Sequence, residues 1–102
     1  SGTAIEQSLT GVFRFVLHPN KKITAPRAEN DTHYIVMGID LDLDRAAVKA
    51  TQEAVNFLVE DMGMTPDAAL SLSSIALDLR ISEVVDLTQV VSGFIPKSIF
   101  SR

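Results

Sequence analysis

The spacing of apolar positions along the chain changes several times. From Val12 to Leu17 it is two: Phe13, Phe15 and Leu17 fall on one side, and Val12, Arg14 and Val16 on the other. That alternation predicts a strand. His18-Pro19-Asn20 turns the chain after it. Residues 23–31 read as irregular, because Pro26 fixes its own φ and biases Ala25 toward extended backbone. Thr32 to Ile39, rich in Tyr34, Ile35 and Val36, predicts a second strand that stops near Gly38.

Beyond residue 40 the period lengthens. Ala47, Thr51, Ala54, Val55, Leu58 and Met62 recur at three- and four-residue spacing, the stripe of an amphipathic helix. Arg45, Lys49, Gln52, Glu53, Asn56 and Glu60 cover the rest of its surface. Asp42 or Asp44 supplies the N-cap and complements the helix dipole. Gly63 is the expected stop. A second helix starts almost at once: Thr65 caps it, and Pro66 sits where its missing N–H does no harm. Asp67 favours the dipole, and the helix runs to about Ala76. Only Gly63-Met64 separates the two, so they form a helical hairpin.

Strand character returns at Ile81 to Val85 and again at Gln89 to Ile95, with Asp86-Leu87-Thr88 turning between them. Pro96-Lys97 ends the last strand, and Ile99 and Phe100 make an apolar tail. The order is β-β-α-α-β-β. It predicts an α+β fold, a small and mostly antiparallel sheet with the helical hairpin packed on it. With 102 residues and neither repeat nor linker, the chain reads as one segment.

Composition narrows the function classes. The net charge of -4 argues against a nucleic-acid binder, which needs a basic stripe. Lys21, Lys22 and Arg27 lie near one another, but Glu29 and Asp31 follow at once. The chain has no cysteine, which excludes disulfides and thiolate metal sites and suits the cytoplasm. No apolar run has the length of a membrane span. A mean hydropathy of +0.20 is high for a small domain, and points to apolar surface intended for a partner or for further chain.

Candidate chemistry is sparse. His18 and His33 are the only imidazoles, too few for a histidine-rich metal site; each reads as a turn or strand-end residue. The Asp40-Leu-Asp42-Leu-Asp44 alternation lacks the glycine and distal glutamate of a calcium loop, so it reads as a solvated helix start. Asp78 and Arg80 flank the expected helix-to-strand corner. Arg80 can take a carboxylate on its guanidinium, and a structural Asp78–Arg80 ion pair is the expectation. A serine at a true N-terminus can act as a nucleophile with its own α-amino group as base, which gives Ser1 a minor reading of that kind. Glu6 is a candidate acid or base.

Four stretches, in order, resemble the acetamidase/formamidase family of amide hydrolases. They are Ser1-Gly-Thr-Ala-Ile-Glu6; Ala25-Pro-Arg-Ala-Glu29 with Thr32-His-Tyr34; Asp42-Leu-Asp44 with Asn56-Phe-Leu-Val-Glu60; and Asp78-Leu-Arg-Ile-Ser82, Val84-Val-Asp86 and Ile95-Pro-Lys-Ser-Ile-Phe100. Two departures stand out. Ser1 occupies a position where the family often has cysteine, and Ile75-Ala76-Leu77 replaces smaller residues before Asp78.

The resemblance implies that residues 1–102 correspond to the carboxyl-terminal third of a longer enzyme. That enzyme hydrolyses formamide or acetamide to a carboxylate and ammonia. The resemblance further implies that its main polar site lies upstream of Ser1. A divalent metal there, Zn²⁺ in the first instance, would find no ligands within this chain. Glu6 would then be an active-site carboxylate, with Ser1, Gly2 and Thr3 bordering the substrate pocket. The implied partners are the upstream part of the same enzyme, a small amide and further copies in a homo-oligomer, with no nucleic acid and no membrane. The isolated segment is expected to be inactive. The competing reading is a stand-alone interaction or scaffolding module of the same fold, without catalysis.

Overall fold

The computed structural model describes residues 4–100. Four strands and two helices follow in the order β1 (Arg27–Glu29), β2 (His33–Asp40), α1 (Leu43–Glu60), α2 (Pro66–Ala76), β3 (Asp78–Glu83) and β4 (Gln89–Pro96). A short 3₁₀ turn, Lys97–Ile99, comes last. The strands form one antiparallel sheet in the order β1-β2-β4-β3. This is the expected α+β arrangement with its expected sequence of strands and helices. No helix among the described residues is long and apolar enough to cross a membrane.

The first strand is not where alternation placed it. Residues 12–17 carry no strand and stand exposed, and the first strand is the three-residue β1. An alternating segment becomes a strand only where an edge accepts its N–H and C=O groups. The third strand is also displaced. β3 begins at Asp78, in register with Phe94, and ends at Glu83 instead of running from Ile81 to Val85. A bulge between Ile81 and Glu83 weakens its pairing. Asp86 and Leu87 then turn the chain with φ of 64° and 74°. Two successive left-handed residues suit a tight hairpin turn, although leucine rarely occupies that conformation.

The helix ends follow the expected capping chemistry. Asp42 caps α1 by accepting the Arg45 N–H, and Thr65 caps α2 by accepting the Ala68 N–H. Gly63, at φ 72°, supplies the left-handed step between the helices. Ahead of α1, Lys49 bonds Asp40 at 2.8 Å and holds its carboxyl below the ordinary range; the Asp42 N–H adds to this.

The core lies where α1 crosses β2 and β4. Ala46, Ala50 and Ala54, spaced four apart, are wholly buried. They bring the helix so close that a Cβ on Gly38 would lie 2.0 Å from the Ala46 carbonyl oxygen and 2.3 Å from the Ala50 nitrogen. Glycine is therefore required at residue 38 by the helix above it. Farther along, Leu58, Val36, Ile95, Phe57 and Ala69 complete the core, with Tyr34, Leu77 and Phe100 packed around it. The buried stripe is thus Ala46, Ala50, Glu53, Ala54, Phe57 and Leu58, and Ala47, Thr51 and Val55 of the expected stripe are only part-buried. The stripe is rotated by about one residue, because small side chains, not large apolar ones, face the close approach at Gly38.

Candidate functional site

Two polar clusters lie on this scaffold, one at each side of the sheet. The first is centred on Arg27 in β1. Its guanidinium reaches three carboxylates of α1 and its C-cap: Asp61 at 3.4 Å, and Glu53 and Glu60 at 3.9 Å each. The same guanidinium lies 5.6 Å from the centre of the Phe57 ring. Lys21 joins through an ion pair to Asp61, and the Thr24 hydroxyl donates to Glu53. Lys21 and Thr24 ahead of the sheet, and Arg27 at its first strand, are thus tied to one helix face.

Glu53 is the residue that sequence reasoning missed. Expected on the solvent face of α1, it is 8% exposed. One of its oxygens takes the Thr24 hydroxyl, while the other, together with the Arg27 Nε, has no hydrogen-bond partner. The signal was present in the spacing: Ala46, Ala50, Glu53 and Phe57 recur at four, three and four residues. Charge alone had placed Glu53 outside. Such a carboxylate stays inside because a cation stands beside it.

Two hollows flank the cluster. An open groove of about 650 Å³ is lined by Lys21, Ile23, Arg27, Tyr34, Phe57 and Asp61, and His18 also borders it. A smaller one of about 340 Å³ meets Thr24, Met37, Gly38, Lys49, Gln52 and Glu53. The Tyr34 and Phe57 rings meet at a tilt of 44° with 4.9 Å between centres, and Lys97 lies 5.1 Å from the Tyr34 ring while pairing with Glu29. The charges that line these hollows are paired with one another, so the cluster works chemically as a clamp. It fastens residues 21–27 to α1 and its C-cap.

The second cluster lies on the sheet face away from the helices. Arg80 Nε and Nη2 each lie 2.9 Å from the same Asp78 oxygen, and the guanidinium covers the Phe94 ring at 4.3 Å. His33 meets the same ring edge-on at 5.8 Å, with its Nδ1 2.7 Å from the Thr32 hydroxyl. Both partners of the Asp78–Arg80 pair are more than half exposed, so it contributes little to stability. Asp86, in the hairpin turn, makes no ion pair with Arg80.

Glu6 lies in the exposed segment before residue 18, and no described residue gives it a hydrogen bond or ion pair. Ser1, Gly2 and Thr3 lie outside the described residues. Among the described residues, no group of three or more His, Asp or Glu side chains is placed to hold a metal ion.

No family model and no curated protein matches the chain. A solved structure does: the crystal structure of an acetamidase from Bacillus halodurans, at 29% sequence identity and a TM-score of 0.68. The similarity covers 74% of this chain and 25% of that one. The chain therefore spans about a quarter of the length of the acetamidase it matches. That likeness supports the resemblance carried by the four sequence stretches: the chain is similar to a segment of an acetamidase.

Proposed function

We propose that this chain is part of an amide hydrolase that converts short aliphatic amides, formamide and acetamide, to carboxylate and ammonia. The observation that carries the reading is the acetamidase likeness: a similar fold at 29% sequence identity over 74% of the chain. In such a reaction water adds to the amide carbonyl, the C–N bond breaks, and the nitrogen takes a proton as it leaves. The site must offer an acid or base and donors for the oxyanion.

This chain's contribution is structural support and one border of the pocket. The Arg27 clamp and the α1–sheet core hold the segment rigid. Glu6, with Ser1, Gly2 and Thr3, forms the border nearest the chemistry. The groups expected to activate water, including any Zn²⁺, belong to the preceding part of the enzyme. The described residues do not fit a metal site. Assembly into a homo-oligomer in the cytoplasm is part of the same reading.

A chimera tests it. The matching quarter of the Bacillus halodurans acetamidase is replaced by this chain, and ammonia release from acetamide and formamide is followed. The chimera is expected to release ammonia, and the isolated chain is not. A folded chimera with no more activity than the acetamidase lacking that quarter would overturn the proposal. Turnover by the isolated chain would move the chemistry into it and make Glu6 the first residue to replace.

A further inference from the structure

Asn30, Thr32 and His33 form a hydrogen-bonded chain that decides which nitrogen of the His33 ring carries the proton. It starts at the Asn30 side-chain oxygen, which accepts the backbone N–H of Thr32 at 2.9 Å and that of His33 at 2.8 Å. These two donors fix the orientation of the amide, because its NH₂ end can accept neither. The Thr32 hydroxyl lies 3.1 Å from the same oxygen and 2.7 Å from His33 Nδ1. A hydroxyl has one proton to give. When Nδ1 carries the ring proton, it donates to the hydroxyl, the hydroxyl donates to Asn30, and both contacts are hydrogen bonds. When Nδ1 is bare, the hydroxyl must turn to it, and its oxygen then faces the Asn30 oxygen with no proton between them. The Nδ1–H form keeps one hydrogen bond more, and it leaves Nε2 as the basic nitrogen.

Nε2 is free to act. No described residue gives it a hydrogen bond, and it is not among the polar atoms shut away from solvent without a partner. The ring itself is half-buried and held edge-on to Phe94, so its position is set while Nε2 stays reachable. An open hollow of about 850 Å³ borders the ring, lined also by Asp31, Tyr34, Lys97 and Ser98. The cations around it are already matched. Lys97 pairs with Glu29, and Arg80, which shares the Phe94 ring with His33, pairs with Asp78. Asp31 is the remaining charged group of the hollow. Every contact that fixes the ring is made inside this chain, so the proton's place on it does not depend on what covers the hollow.

We propose that His33 is a catalytic proton carrier of the amide hydrolysis, with Thr32 and Asn30 as its positioning residues. The inference rests on the amidase reading for its reaction. There the preceding part of the enzyme activates the water, and the proton that the water sheds must still reach the leaving nitrogen. Nε2 takes that proton as the water oxygen bonds to the carbonyl carbon and the C=O electron pair moves onto its oxygen. The imidazolium then gives the proton to the nitrogen as the C–N bond breaks and the carbonyl re-forms. Acid and ammonia result, and the ring returns to its starting form. Nδ1–H stays bonded to Thr32 through both transfers, so the ring does not turn between them. Thr32 and Asn30 thus fill the place of the third group that orients a base.

Two measurements separate this role from the amidase reading. In the isotope-labelled chain at neutral pH, long-range proton–nitrogen correlation spectra read which ring nitrogen is protonated, with exposed His18 as internal comparison. His33 is expected in the Nδ1–H form. Thr32→Val, at an exposed position, is expected to abolish that preference and leave the fold intact. An Nε2–H ring in the unaltered chain overturns the proposal. In the chimera with the acetamidase, His33→Gln is expected to lower kcat by roughly a hundredfold or more with KM changed less than about threefold. Thr32→Val is expected to lower kcat by a smaller factor. Imidazole in solution is expected to restore part of the rate of His33→Ala, and a loss that it does not rescue marks a structural role and overturns the proposal. So does a His33→Gln chimera that keeps its kcat. A chimera inactive from the start overturns the amidase reading, and with it the reaction assigned to His33, whichever nitrogen holds the proton.

Discussion

Residues 12–17 and β2 are written in the same pattern. Both are short, apolar and of period two, yet Val36 in β2 is 1% exposed while Phe13 and Phe15 are 79% and 93% exposed. The difference lies in what surrounds them. β2 has β1 on one side and β4 on the other, and α1 lies across it at Gly38. Residues 12–17 have strand-forming composition and, within one chain, no strand beside them. Alternation therefore records which face would be buried, and says nothing of what buries it. In β2 the burial comes from within the chain. In the N-terminal segment the described residues supply none.

The sharpest way to break the comparison is to deprive β2 of its helix. Gly38→Ala drives a methyl group into the Ala46 carbonyl and the Ala50 nitrogen, and backbone cannot move aside as a side chain can. The expected loss is about 3 kcal/mol, near the upper end for overpacking. Urea unfolding reads it as a lower midpoint at unchanged slope. A variant as stable as the parent would mean that α1 does not lie so close to β2.

The next largest effect tests the clamp that holds β1 beside β2. Arg27→Met leaves the Glu53 carboxylate inside without its nearest cation, at an expected cost of about 2 kcal/mol. Adding Glu53→Leu removes the stranded charge and is expected to recover about half of that loss. A double variant no better than Arg27→Met alone would show that Arg27 acts through Asp61 and Phe57, not through Glu53.

Much of this was legible in the residues. Asp42, Gly63, Thr65 and Pro66 each carry a local backbone preference, and each occupies the expected helix end or turn. The α+β order followed from changes of period. What escaped depended on distant partners. The buried stripe of α1 is set by Gly38 on another element; Ala46 and Ala50 are small, and gave a weaker apolar signal than Val55 or Met62. Glu53 is inside because Arg27 and Thr24 reach it from more than twenty residues away in sequence. The Asp78–Arg80 contact spans two residues, so a local reading was enough to suggest it. Glu6 was singled out through a resemblance, and the described residues give it no partner that would assign it a role.

The smallest expected effect sharpens the comparison most. If residues 12–17 contribute nothing within one chain, replacing both Phe13 and Phe15 by serine should leave the unfolding midpoint within about 0.5 kcal/mol of the parent. The measurement is made where light scattering gives the mass of one chain, so that association adds nothing to stability. The same substitutions in β2, at Tyr34 and Val36, would empty part of the core, because both side chains pack into it. Identical chemistry on an identical pattern would then give opposite results. A clear loss in the Phe13 and Phe15 variant would show that the segment is held by its own chain after all.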